Sequence, residues 1–196
     1  MASLSVAEES APVADLVTFL NKRRRPLSAS ERDTMRNGPR YPYFGATGVF
    51  DYIDEFLFDE VTLLVGEDGS VANEDGTPVT QMAWGRYWVN NHAHVLTGRS
   101  VSTELAFIAL RRADVRPLIT GAVQAKLSMG NLKRLEIPMP VERAALDAQI
   151  LELLGAWRSR HDESRALATL RDALLPELLS GRLRVPEAEQ AVGGVV

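Results

Sequence analysis

The sequence predicts an α+β protein: one mixed α/β domain over residues 1–140, a long coiled-coil-type helix over 141–180, and a short tail over 181–196. Three observations predict it. Aromatic and β-branched runs bounded by Gly, Asp or Asn fill the first part. One segment among them has helical spacing. Beyond Pro138 and Pro140 the strand-like runs stop, and apolar residues recur at 4–3 spacing.

The strand candidates are YPYFGATGVFDYI (41–53), VTLLVGEDGSV (61–71) and YWVNNHAHVL (87–96). GEDGS (66–70) and NEDGT (73–77) are turn chemistry, since Gly and Asn tolerate positive φ. VSTELAFIALRRADVRPLI (101–119) reads as a helix capped by Ser102 or Thr103, with Leu105, Ile108 and Ala109 on one face. After Pro140, Leu146, Ile150, Leu153 and Trp157 set a stripe that resumes at Leu167, Leu170, Leu174 and Leu178. Its centre is polar: Arg160, His161, Asp162, Glu163 and Ser164. A helix over 141–175 runs roughly 50 Å at ~1.5 Å per residue, longer than one small domain covers. Its stripe needs another helix or a second copy of itself. The alternative is a helix folded back on its own domain.

The 196 residues are 45% apolar and 24% charged, the balance of a soluble globular protein with material for a core. A net charge of −4 argues against capture of nucleic acid by global charge and leaves room only for a polarised patch. The chain has no cysteine, which excludes disulfides, thiolate zinc sites and a cysteine nucleophile and fits a cytoplasmic location. MASLSVAEESAPVADL carries acids where a secretory signal carries bases, and no apolar stretch approaches the ~20 residues that cross a bilayer, so no membrane partner is expected. There is no GxxxxGK[ST] loop, no GxSxG elbow, no HExxH and no NPPY-like run, and FGATG (44–48) lacks the GxGxxG context.

Two kinds of residue carry possible chemistry. On a strand through 87–96, alternation puts Trp88, Asn90, His92 and His94 on one face. Two imidazoles so placed suit half a zinc site or an acid/base pair. A catalytic zinc needs a third ligand, and His161 lies in the long helix, leaving Glu67 or Asp68. The other reading is a hydrogen-bonded pair that fixes a turn. The basic residues Lys22, Arg23, Arg24, Arg25, Arg36, Arg40, Arg86 and Lys126 sit in loop-like segments, with Lys133 and Arg134 further on. With Asn91, His92 and Gln124 the first eight form the candidate DNA-contact set, because Arg and Lys hold phosphates or guanine and Asn and Gln read adenine. Asp51, Asp54, Glu55, Asp59 and Glu60 must then turn away from DNA.

The order YPYFGATGVFDYIDEFLFDEVTLLVGEDGSV, YWVNNHAHVL, ITGAVQAKLSMGNLKRLEIPMP, a long helix, then LLPELLSGRLRV resembles the DNA specificity subunit of type I restriction–modification systems, over roughly 40–185. PMPVERAALDAQ stands where that family often has PPLxEQ, and the first 20 residues lie outside the resemblance. The resemblance implies a target-recognition domain followed by a spacer helix, with one of each here where the family's typical subunit has two. It implies no catalytic residue, no metal and no cofactor in this chain, S-adenosylmethionine being expected in a partner methyltransferase. It further implies double-stranded DNA, methyltransferase and restriction subunits as partners, and a homodimer through Leu146, Ile150, Leu153, Trp157, Leu167, Leu170, Leu174 and Leu178. The alternatives are a small metal-dependent enzyme using His92 and His94, and a coiled-coil adaptor with no DNA role.

Overall fold

The structure, a computed structural model, describes residues 8–183. The chain divides into two compact units, Met1–Leu151 and Glu152–Val196.

The first unit starts with β1 (Glu8–Pro12), the single turn α1 (Val13–Leu16) and β2 (Val17–Phe19). A 3-10 turn at Asn21–Arg23 leads to α2 (Ala29–Thr34). Ser28 and Glu31 close a reciprocal capping box at the start of α2. The strands β3 (Tyr41–Phe44), β4 (Val49–Ile53), β5 (Phe58–Asp59), β6 (Thr62–Gly66), β7 (Thr80–Ala83), β8 (Arg86–Val89) and β9 (Ala93–Gly98) follow. Then come α3 (Thr103–Leu110), a 3-10 turn at Arg116–Leu118, α4 (Met129–Arg134), β10 (Glu136–Pro140) and α5 (Arg143–Leu179).

The strands form an antiparallel sheet ordered β2-β9-β6-β7, a mixed sheet ordered β4-β3-β8-β5, and the ribbon β1-β10. In the mixed sheet β3 and β8 are parallel. β6 explains the stacking. All its residues are buried. Leu63 and Val65 join Leu105, Ala106, Ala109 and Leu110 of α3 in one cluster. Leu64 faces the other way, into a second cluster with Phe58, Tyr87 and Val89 of the mixed sheet. A strand covered on both faces has no reason to alternate, which is why TLLVG reads as an unbroken apolar run. Tyr43, Ile53 and Trp88 form a third cluster with Leu27. Pro12, Pro138 and Pro140 sit in the β1-β10 ribbon, where every strand is an edge and a missing N–H is tolerated.

Two expectations change. YWVNNHAHVL is not one strand. It is β8, a turn at 90–92, and β9, and the two strands belong to different sheets. The helix expected over 101–119 covers only Thr103–Leu110, with Ser102 as its cap, and Ile108 lies on its exposed side. Within the first 20 residues, which lie outside the family resemblance, β1 pairs with β10, and Val13 and Leu16 are core residues.

The long helix begins in the first unit and continues through the second. Its 37 residues correspond to about 55 Å at ~1.5 Å per residue. It passes through Pro176 rather than stopping before it, and Gly181, at φ 71°, follows its last turn. No residue of α5 is buried. Ile150 packs on the core of its own domain, and Asp147 accepts a hydrogen bond from the Ser102 backbone N–H at 2.9 Å. Of the expected tail over 181–196, only residues up to 183 lie within the described part.

Candidate nucleic-acid interface

Gly66 and Ala93 are register partners, so the loop leaving β6 and the turn entering β9 lie at the same end of the sheet. Backbone hydrogen bonds hold them there beside the segment before α4. Glu67 N–H donates to His92 C=O at 2.8 Å, Leu127 N–H to Glu67 C=O at 2.9 Å, and Gly69 N–H to Ala125 C=O at 2.9 Å. Thr120 and Lys126 exchange two backbone hydrogen bonds of 2.9 and 2.7 Å, closing 121–125 into a loop. The turn at 90–92 is shaped by Asn90, a buried residue whose Oδ1 accepts the His92 N–H at 2.8 Å. Three loops, 67–70, 90–92 and 120–126, therefore stand side by side.

A polar network supports them from below. Arg24 Nη1 donates to Glu67 Oε2 at 2.6 Å and to Ala93 C=O at 2.6 Å. Arg24 Nε donates to Asn21 C=O at 3.1 Å. His94 is fully buried. Its Nε2 lies 2.8 Å from Leu127 C=O and its Nδ1 lies 2.9 Å from Asn21 Nδ2. The carbonyl can only accept and the amide nitrogen can only donate, which assigns the neutral tautomer protonated at Nε2. Burial pushes the His94 pKa below its ordinary value, against the pull of Leu127 C=O and of Glu67, whose Oε2 lies 3.4 Å from Nδ1. Lys126 Nζ lies 3.1 Å from Asp68, which raises its pKa, and 3.7 Å from Glu67.

This geometry decides what the two histidines are. They do not share a face. His94 is enclosed with both ring nitrogens in hydrogen bonds, while the His92 side chain is 48% exposed, with Nδ1 3.8 Å from Asp68. Among the described residues no group of three or more His, Asp or Glu side chains could hold a metal ion. His94 is a structural residue, and the geometric basis for a site shared by the two rings falls away.

Exposed on the three loops are Asn91, His92, Gln124 and Lys126. Lys22 is exposed next to Asn21 and has no ion-pair partner among the described residues. Lys133 of α4 lies 5.3 Å over the Phe19 ring, which itself meets His94 edge-on at 6.2 Å. The arrangement offers hydrogen-bonding tips flanked by cations, the chemistry that contacts base edges and phosphates.

Comparison with known proteins gives the family. Residues 9–161 match the type I restriction modification DNA specificity domain. The chain belongs to that family. It is 28% identical over 146 residues to a putative type I restriction enzyme specificity subunit of Haemophilus influenzae, covering 74% of this chain and 36% of that one. It is 27% identical over 114 residues to the type I restriction enzyme EcoprrI specificity subunit of Escherichia coli, covering 57% and 27%. The fold is that of the crystallised type I restriction–modification S subunit of M. genitalium, with a TM-score of 0.64 and 19% identity, covering 92% of this chain and 48% of that one. The chain thus spans about half or less of the length of these relatives. Its mixed α/β domain and long C-terminal helix share the fold of that S subunit.

Within this specificity domain the other expected contact residues lie elsewhere and are mostly engaged. Arg23 pairs with Glu60 at 2.5 Å and lies 4.3 Å over Phe58. Arg25 is 3.6 Å from Glu31. Arg36 meets Asp33 at 3.1 Å and Asp51 at 3.4 Å, and Arg86 meets Asp59 at 3.0 Å. Arg40 is exposed and has no such partner among the described residues. Of the acids expected to turn away from DNA, Asp59 and Glu60 each hold one arginine and Asp51 holds two, Arg32 at 2.7 Å and Arg36. Arg24 is a framework residue. Sequence reading left Lys133 and Val123 out of the contact set. Val123 could have been noticed as a branched apolar residue beside Gln124 in a loop.

The helix residues divide in the same way. Leu153, Trp157 and Leu167 are exposed, Leu146, Leu170, Leu174 and Leu178 are partly covered, and Ile150 is engaged by its own domain.

Proposed function

We propose that this specificity domain reads one half of a split DNA site. In this reading two copies pair through α5, so that the dimer reads a palindromic site and docks methyltransferase subunits and, through them, restriction subunits, in the cytoplasm. The chain itself carries no catalytic step, and S-adenosylmethionine belongs to the methyltransferase. The observation that carries the reading is the edge of three hydrogen-bonded loops, whose exposed side chains Asn91, His92, Gln124 and Lys126 have no catalytic arrangement but suit base and phosphate contacts.

The pairing of two copies is supported by α5. Leu146, Leu153, Trp157, Leu167, Leu174 and Leu178 fall on one 4–3 repeat, interrupted by Arg160, Ser164 and Arg171. Leu170 falls outside that repeat. A two-fold pair of helices places two reading domains symmetrically, and a symmetric protein matches a symmetric site.

Co-expression with the cognate methyltransferase, followed by mapping of methylated bases across a genome, tests the reading. A split palindromic motif is expected. Sedimentation should give a dimer, and a Leu153→Ser/Trp157→Ser variant a monomer. A motif with no symmetry, or a wild-type monomer at micromolar concentration, overturns the dimer. No duplex binding with or without the methyltransferase overturns the DNA reading.

A further inference from the structure

We propose that the loop 121–124 is a base-reading finger, with Gln124 and Val123 together recognising an A·T pair from the major groove. The inference rests on the reading above, that the domain binds duplex DNA.

The base of the finger is fixed. Thr120 and Lys126 exchange backbone hydrogen bonds of 2.9 and 2.7 Å, Gly69 N–H ties Ala125 at 2.9 Å, and Asn131 Nδ2 donates to Leu118 C=O at 2.7 Å. Gly121, at φ 96°, makes the turn that lets the chain double back, and a Cβ there would stand 2.1 Å from Gln124 C=O. The result is a narrow ribbon, a shape that enters a major groove ~12 Å wide. What it presents is unusual for a solvent loop. Val123 is fully exposed, at 104%. The Gln124 side chain lies over Gly69 and makes no hydrogen bond among the described residues. An apolar group and a free amide thus sit next to each other on a rigid support. Those two chemistries are what an A·T pair offers together: adenine N6–H and N7 engage a glutamine amide in two hydrogen bonds, and the thymine 5-methyl accepts an apolar contact. Lys126 follows at the root of the finger, with Asp68 neutralised against it and so less repulsive to phosphate.

The test uses the full chain, alone and with its methyltransferase subunit, selecting from a pool of randomised duplexes. Wild type should enrich a half-site with at least one A·T pair that Gln124→Ala reads about 5- to 150-fold less selectively, the range of a bidentate contact. Gln124→Arg should move the preference at that position towards G·C, because a guanidinium pairs with guanine O6 and N7. Val123→Ser should weaken the preference for thymine over uracil at the same pair. A structural role would produce none of these switches, and the exposed positions should leave the thermal midpoint unchanged. If wild type selects a motif and all three variants select it unchanged, the finger is overturned while the DNA reading stands. If the variants lose methyltransferase binding without DNA, the loop is a protein contact and the proposal fails. If wild type binds duplexes without selecting a sequence, the finger alone fails, and if it binds no duplex, both fail.

Discussion

Replacing His94 with phenylalanine keeps a ring of similar size and removes two hydrogen bonds. Leu127 C=O loses the Nε2–H donor at 2.8 Å, and Asn21 Nδ2 loses its Nδ1 acceptor at 2.9 Å. A buried polar group left unpaired costs about 1–3 kcal/mol. The carbonyl is enclosed, whereas Asn21 is half-buried and can recover part of its loss in solvent, so about 2–4 kcal/mol is expected in all. Folded domains have only about 5–15 kcal/mol to lose. The pH profile carries a second signature. Burial holds the folded-state pKa of His94 below its ordinary value, so the unfolded chain binds a proton that the folded one refuses. Stability from this group is complete above about pH 6.5 and falls as the pH drops below it, by at most about 1.4 kcal/mol per pH unit for one proton. The variant has no such proton to bind, so its curve should be flatter in that window. Urea titrations followed by tryptophan fluorescence between about pH 5 and pH 7.5 measure both effects, with the slope m unchanged. A loss below about 1 kcal/mol, or parallel curves for the two proteins, would refute the buried neutral histidine.

Three further outcomes follow from the loop edge. Arg24→Ala removes the guanidinium from Glu67, whose side chain is only 14% exposed, and should cost about 2–4 kcal/mol in a urea titration, as loss of one partner of a buried pair does. Lys22→Ala should leave stability within about 0.5 kcal/mol and lower the salt slope of duplex binding by about 0.9, the contribution of one phosphate contact; an unchanged slope removes Lys22 from the interface. Gly121→Ala forces a side chain into a left-handed backbone and onto Gln124 C=O, so about 1–3 kcal/mol of strain should open the finger. Faster hydrogen exchange at the Thr120 and Lys126 amides would report it, and unchanged exchange would contradict it.

Local chemistry made some of this structure legible from sequence. The strand character of β3 and β4 shows in YPYFGATGVFDYI, and Ser102 caps its helix because a hydroxyl before an apolar run satisfies a free helix N–H. The long helix shows in its 4–3 pattern. Local chemistry failed where partners are distant. Alternation placed His92 and His94 on one face, because nothing in the string says that Asn90 turns the chain between two sheets. Arg24 looked like a phosphate ligand because its partner, Glu67, lies 43 residues away. The edge strand β1 went unread because EESAP has neither alternation nor β-branched residues, and only β10 makes it a strand. Of the candidate site, the residue types were visible and their grouping was not: Asn91, His92, Gln124 and Lys126 come together through backbone bonds that leave no trace in composition.

The pairing of Glu8 with Pro140 closes the first domain like a clasp, bringing the start of β1 beside the end of β10. What lies between the two is a cassette. Exchange of one cassette for another at the clasp would, on the proposed reading, change the bases that are read without moving the residue at which α5 begins. On the proposed reading, the length of α5 sets the gap between two reading heads. Vocabulary and spacing would then be separately heritable, one carried by the loops inside the clasp and the other by the count of residues after it.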